Sequence, residues 1–253
     1  MDMQFKERFV RLWEKHFPQA PLPVVFFYSD DEAGAAIVNG PKSLEEHRCI
    51  LADITRAARG RSLAFNVDSI GCGGGRKYLG FSEVLRPNFE YFLSCGIPGE
   101  LEGEKYKKSP ELVGKVMKKM PKFSAPARYI VFKRWDGIDK NDNPDVVIFF
   151  ATPDVLSGLF TLANYDGVDP NGVFCPFGAG CSTIVTYPYL ERNARRPKSV
   201  IGMFDVSARP CVPANTLTFA TPFKRFVTMV DNMDESFLIT ESWKKVRRRI
   251  KKG

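Results

Sequence analysis

The sequence predicts an α+β (α/β-like) fold, a single domain with a mixed β-sheet flanked by helices. Three observations predict it. Segments with helical spacing of apolar residues alternate with short β-branched runs along the whole chain. The 253 residues are 44% hydrophobic and 26% charged, a globular composition long enough for a sizeable core. No stretch reads as a domain boundary, since the two linker-like segments, 99–108 and 136–144, are short, and no solenoid repeat is visible. One domain is therefore expected over 1–253, with 234–253 a basic C-terminal helix.

Each element has its own reason. Phe5, Phe9, Leu12, Trp13 and His16 share one helical face and predict a helix over 3–16, ended by Pro18, Pro21 and Pro23. His16 completes that apolar face and reads as structural. Residues 22–28 read as a buried strand. Ser43 with Glu46 forms a capping box for a helix running to about 58, closed by Gly60. Alternating Leu63, Phe65 and Val67 predict a strand, followed by a glycine-rich loop, SIGCGGGRKYLGF. Ser109-Pro110 opens a helix carrying Val113, Val116, Met117 and Met120. Strands follow over 129–133 and 146–150, separated by the polar turn GIDKNDNP. Thr152-Pro153 opens a helix. Strands are expected near 182–187, 199–206 and 216–220. Thr221-Pro222 opens a helix with Phe223, Phe226, Val227 and Val230, and the last helix carries Trp243, Val246 and Ile250. The 21 phenylalanines predict a large aromatic core.

The net charge is +8. Seven basic residues and no acidic one fall in 244–252, so the body is nearly neutral. Nucleic acid is therefore not expected as the main partner, although Trp243, Val246 and Ile250 on one side of a basic helix are also compatible with an acidic membrane surface. The expected reading of that helix is an apolar stripe docked on the body with its cations in water. No apolar run reaches the roughly 18 residues of a membrane span, and the N-terminus has no secretory pattern. The chain reads as cytoplasmic, with reduced cysteines.

Six cysteines carry the functional signal, and none sits in a CxxC pair. Cys72 lies in GCGGG, Cys181 in FGAGC and Cys211 in ARPCVP, all at loops or strand ends. Glycines beside a cysteine let backbone N–H groups turn toward a thiolate, and Arg76, Lys77 and Arg209 supply positive charge nearby. On a helix over 44–58, Cys49 points away from the stripe of Leu44, His47, Leu51, Ile54 and Ala58. Cys95 reads as a packing residue, and Cys175 as either packing or a fifth candidate. With only two histidines, a metal would have to lean on sulfur or carboxylate.

Several blocks together, HRC at 47–49, IGCGGGRKYLGF at 70–81, VVIFFATPDVLSGL at 146–159, GAGCSTIVTYP at 178–188 and MFDVSARPCV at 203–212, resemble a prokaryotic family. It is the domain of unknown function numbered one hundred and sixty-nine, or ArCR-like, and the resemblance runs from about Leu22 to Met233. It implies a single-domain architecture and places cysteines at the positions of Cys49, Cys72 and Cys181. Cys211 matches only the subset with an ARPC-like block.

Three function classes compete. The first is a metal centre ligated by Cys49, Cys72, Cys181 and Cys211, an iron–sulfur cluster before zinc because zinc sites favour close pairs. It would serve a redox partner or small molecule. The second is a small-molecule or anion-binding protein or enzyme using the 71–77 loop, with Gly73, Gly74, Arg76, Lys77 and Arg209 as ligand contacts. A thiol-catalysis variant has only His47 as base. The third is a binding module acting through the basic tail. Arg86, Asn88, Asp205 and Arg209 are further pocket candidates. The reaction, the substrate and any homo-oligomer are left open by the sequence.

Overall fold

Eight strands form one open sheet in the computed structural model, which describes residues 1–40 and 48–251. The long central strands are β1 (Val24–Ser29), β4 (Tyr129–Arg134), β5 (Val146–Ala151) and β8 (Leu217–Pro222). Shorter strands β2 (Ala36–Ile37) and β3 (Leu63–Phe65) extend one edge, and β7 (Ser199–Gly202) and β6 (Val173–Phe174) the other. The order is β2-β3-β4-β1-β5-β8-β7-β6. The two outermost pairings are parallel and the interior is antiparallel, so the sheet is mixed. The molecule is a single mixed α+β domain.

Both faces of the sheet are covered, which is why β1 and β5 read as continuous apolar runs. Val24, Phe26, Val146 and Ile148 point to one face, and Val25, Val147 and Phe149 to the other. The second face is packed by α1 (Met3–His16), α6 (Pro153–Leu162), α8 (Phe223–Asp231) and α9 (Glu241–Ile250). The first face carries α2 (Ile50–Ala58), α3 (Gly73–Tyr78) and a π-helical turn, Ser182–Thr186, that runs into α7 (Tyr187–Glu191). Two outlying helices, α4 (Phe89–Phe92) and α5 (Pro110–Lys119), lie over that side.

Most start signals act as expected. The Ser109 hydroxyl accepts the Leu112 N–H, with Pro110 at the first helical position. Asp2 caps α1 through the N–H groups of Gln4 and Phe5. Trp243 is 3% exposed, so the basic C-terminal helix docks its apolar stripe on the body. His16 is buried and bonds Asp234 through Nε2 at 2.8 Å, a structural role.

Four expectations change. The glycine-rich segment is not all loop: α3 forms inside it, because the Cys72 sulfur accepts the Gly75 N–H and the side-chain-free Gly75 lets the helix sit against Ile50 and Ile70. The helix expected over 44–58 begins, in its described part, at Ile50, with Cys49 as an extended N-cap residue. Cys49 therefore sits on no helical face, and the Ser43–Glu46 capping box lies outside the described residues. The strand expected at 182–187 is helical. Its β-branched run is buried on every side, which erases the helical period from the sequence. Pro188 has no N–H to bond back along an α-helix, and Tyr187 N–H reaches Ser182 O, one residue further than usual. Finally, 99–108 is no linker. Ile97 and Leu101 bridge, and the chain passes so close at Gly96 (φ +76°) and Gly103 that a Cβ at either would come within 2.3 Å of backbone atoms.

Candidate functional site

Three cysteines stand at helix starts that converge on one place. Cys49 caps α2, Cys72 caps α3, and Cys181 directly precedes the π-helical turn. Cys211 ends a short 3-10 turn, Arg209–Cys211, that packs on α2. All six cysteines are free thiols. Cys181 is buried, Cys49, Cys72 and Cys211 are half-buried, and Cys95 and Cys175 are exposed and stand apart.

The thiols feel one another. Burial pushes the Cys49 thiol up to about 12. The Leu51 N–H opposes that rise, whereas a hydrogen bond with Cys211 and the neighbouring charges of Cys211 and Cys72 add to it. Burial pushes Cys181 well above its ordinary value, with Cys72, Cys49 and Asp205 adding to the rise. Tyr78 is also raised, by burial first and then by Cys181. Helix N-termini favour thiolates, but desolvation wins at Cys49 and Cys181, so these two are neutral thiols at physiological pH.

Hydrogen bonds hold the frame. The Thr186 hydroxyl donates to Tyr78 O at 2.7 Å and the Tyr28 hydroxyl to Leu79 O at 2.8 Å, fixing the C-terminal end of α3. Asp205 accepts the Gly180 N–H at 3.0 Å and the Ser207 hydroxyl at 2.9 Å, and so positions the segment that carries Cys181. That role for Asp205 has no local sequence signature, because its partner lies 25 residues away.

A cavity of about 360 Å³ opens beside the thiols. Cys49, Cys72 and Cys181 form part of its wall, with Gly73 and Gly74, while Cys211 sits behind Cys49. Among the sequence-level candidates, Arg86 and Asp205 line it, and Asn88 and Arg209 do not. The cations expected beside the glycines are engaged elsewhere. Arg76 Nε donates to Ile70 O at 2.7 Å, Lys77 Nζ to Glu83 O at 2.8 Å, and Arg209 Nη2 to Ala214 O at 2.8 Å. Each therefore braces its own loop. His47 lies outside the described residues. The opposite wall, from α4 and α5, was not anticipated as part of a site. Its signal was the stripe of Val116, Met117 and Met120, which reads equally as core.

Among the described residues, no group of three or more His, Cys, Asp or Glu side chains has the spacing to close on a metal ion. No helix among them is long and apolar enough to cross a membrane. No curated protein and no solved structure matches the chain. The model of the family described as uncharacterised ArCR, DUF169, matches residues 16–232, most of the chain and all four clustered cysteines. With its cysteine blocks in the order that the resemblance implied, the chain belongs to the DUF169 family.

Proposed function

We propose that Cys49, Cys72, Cys181 and Cys211 ligate an iron–sulfur cluster that serves a redox function beside the cavity. One observation carries the reading. Four thiols come from four separate segments of the chain: Cys49, Cys72 and Cys181 line one cavity, and Cys211 lies on the turn that packs against the helix Cys49 caps, so they sit at a single corner of the molecule. Chance packing of free cysteines gives scattered thiols, as Cys95 and Cys175 are.

The chemistry fits a cluster better than zinc. A single zinc ion needs its ligand atoms within about 2.3 Å of one point. Zinc sites favour close ligand pairs such as CxxC, and the chain has none. A cluster of several iron and sulfide atoms takes thiolates spaced further apart. Binding would displace protons from the buried thiols, so loading would be favoured as pH rises. The helix starts behind Cys49, Cys72 and Cys181 would offset the negative charge of the ligated sulfurs. Free thiols at this number suit the reducing cytoplasm. The anion-site alternative built on the 71–77 loop is weaker, because Arg76, Lys77 and Arg209 are held by backbone carbonyls.

The test is anaerobic preparation, or reconstitution with ferrous iron and sulfide, followed by iron analysis and visible and electron paramagnetic resonance spectroscopy. Stoichiometric iron with thiolate-to-iron absorption is expected, lost in Cys72→Ser and Cys181→Ser and retained in Cys95→Ser. A colourless, iron-free protein with six titratable thiols overturns the reading, and stoichiometric zinc redirects it.

A further inference from the structure

We propose that the exposed basic face of α9 docks the protein on an anionic phospholipid surface, with the cavity and its thiols turned away from the lipid. The docking face contains no residue of the thiol corner and stands independently of the metal reading.

The charge of the molecule is segregated. Residues 244–252 hold seven of the 37 basic residues and no acidic one, which leaves 30 cations against 29 carboxylates in the rest of the chain. Little of that excess is neutralised in the fold. Lys244, Lys245, Arg247, Arg248, Arg249 and Lys251 lie on α9 or cap it, and two carboxylates reach them. Glu241 pairs with Lys244, and Asp154 of α6 with Arg249 at 3.0 Å. Six cations against two carboxylates leave a local charge of +4. Lys245, Arg247, Arg248 and Lys251 form no ion pair among the described residues. Of the carboxylates on adjoining segments, Asp234 is taken by Lys15 and His16. Glu14 and Glu235 pair with no cation of α9, and counting both still leaves +2.

The way the helix is held selects the partner. Trp243 is buried, and Val246 and Ile250 pack on the aromatic core. Trp243 Nε1 donates to His16 O at 3.0 Å and Arg247 Nη1 to Lys15 O at 3.2 Å, which fastens α9 to the end of α1. At about 100° per residue, Lys245, Arg248 and Arg249 then point away from the body, opposite Trp243. The apolar stripe is committed to the core, so contact with a partner is made by charge at the surface. A compact cluster of four or more Lys and Arg on an amphipathic helix binds anionic lipid headgroups. A nucleic-acid strand running past α9 would meet a nearly neutral body, with no continuing excess of cations to follow. The chain also enters α9 through Ile239, which is 53% exposed. An aliphatic side chain beside cations suits the boundary between headgroups and acyl chains. Because α9 packs on one face of the sheet and the cavity opens on the other, attachment through α9 leaves the thiols facing solution.

The experiment is co-sedimentation of the full chain with vesicles of phosphatidylcholine alone and of an equimolar phosphatidylcholine–phosphatidylglycerol mixture. Binding to the mixed vesicles only is expected, and it should weaken steeply as salt is raised. The triple variant Lys245→Gln/Arg248→Gln/Lys251→Gln removes three exposed cations that form no ion pair and carry no core packing. It should weaken binding by roughly a hundredfold, about fivefold per cation. Lys115→Gln/Lys118→Gln/Lys119→Gln removes the same charge from exposed positions of α5, on the other side of the sheet, and should leave binding nearly unchanged. Absence of binding to the mixed vesicles at low salt, or an equal loss in the α5 variant, overturns the proposal. Displacement of the protein from the vesicles by duplex DNA at equal phosphate concentration also overturns it and assigns α9 to nucleic acid.

Discussion

On one face of the sheet, Phe9, Trp13, Phe17, Trp135, Phe149, Phe226 and Trp243 stack into a continuous aromatic core, with neighbouring rings as close as 4.3 Å. On the other, Phe26, Phe65, Phe132 and Tyr189 pack among aliphatic side chains, and the thiols of Cys49, Cys181 and Cys211 join that cluster. The cavity of about 360 Å³ opens on the face that carries the thiols. The same strands serve both faces, because alternate side chains along β1 and β5 point opposite ways. The difference teaches how a marginally stable domain keeps an open site. Rigid aromatic packing on one side of a sheet supports unfilled apolar surface and desolvated thiols on the other.

Three experiments set the faces against each other. The largest effect is expected from Trp243→Ala. It removes a buried indole stacked edge-on with Phe17 and Phe237 and hydrogen-bonded to His16 O. A loss of about 3–5 kcal/mol is expected from chemical denaturation. A loss below 1 kcal/mol would show that α9 is dispensable and the aromatic face is not the stabilising one.

A pair of glycine substitutions comes next. A Cβ at Gly158 would lie 2.4 Å from the Trp243 ring and 2.7 Å from Phe17, whereas one at Gly73 meets nothing within 4 Å. Gly158→Ala should destabilise by about 1–3 kcal/mol through overpacking. Gly73→Ala, in α3 at the cavity wall, should be neutral or stabilise by up to about 1 kcal/mol. Equal thermal shifts for the two variants would erase the distinction between the two faces.

The smallest effect is a pH dependence confined to the thiol face. The Cys49 thiol is raised from 9.0 to about 12 in the folded chain. The folded state thus holds this proton more tightly than the unfolded state. Its contribution to stability is complete below pH 9.0 and is lost as pH rises toward about 12. Urea midpoints of the metal-free protein should hold up to pH 9.0 and fall above it, and Cys49→Ala should flatten that fall. An unchanged slope in the variant would assign the alkaline loss to other buried groups, such as Tyr28 and Tyr78.

Much of the fold was legible because the cues were local. Ser109 and the prolines at 110 and 153 mark helix starts within one turn, and the stripe of Phe9, Trp13 and His16 has a clear period. The errors fell where burial or glycine removed the period. STIVT is buried all round and reads as a strand, and GGGRKY reads as a loop although tertiary contacts fold it. The site divides the same way. Cys49, Cys72, Cys181 and Cys211 stood out by their short-range contexts. Arg76, Lys77 and Arg209 looked like ligands because a sequence shows a charge and not the carbonyl that occupies it. The role of Asp205 and the α5 wall depend on contacts between distant segments.

The π-helical turn at Ser182–Thr186 acts as a phase shifter. An α-helix advances about 100° per residue, and a π-turn is equivalent to one residue inserted into that rhythm. The helical segment therefore runs on two phases. Past the turn, Tyr189 faces Tyr28 and Phe123. Before it, the phase is offset, and Cys181 points to the other thiols. Shortening the run between Cys181 and Pro188 by a single residue would restore one phase, and the direction of that sulfur would swing by roughly a quarter turn about the axis. The orientation of a thiol in this protein is thus set by a count of backbone residues as much as by the side chains around it.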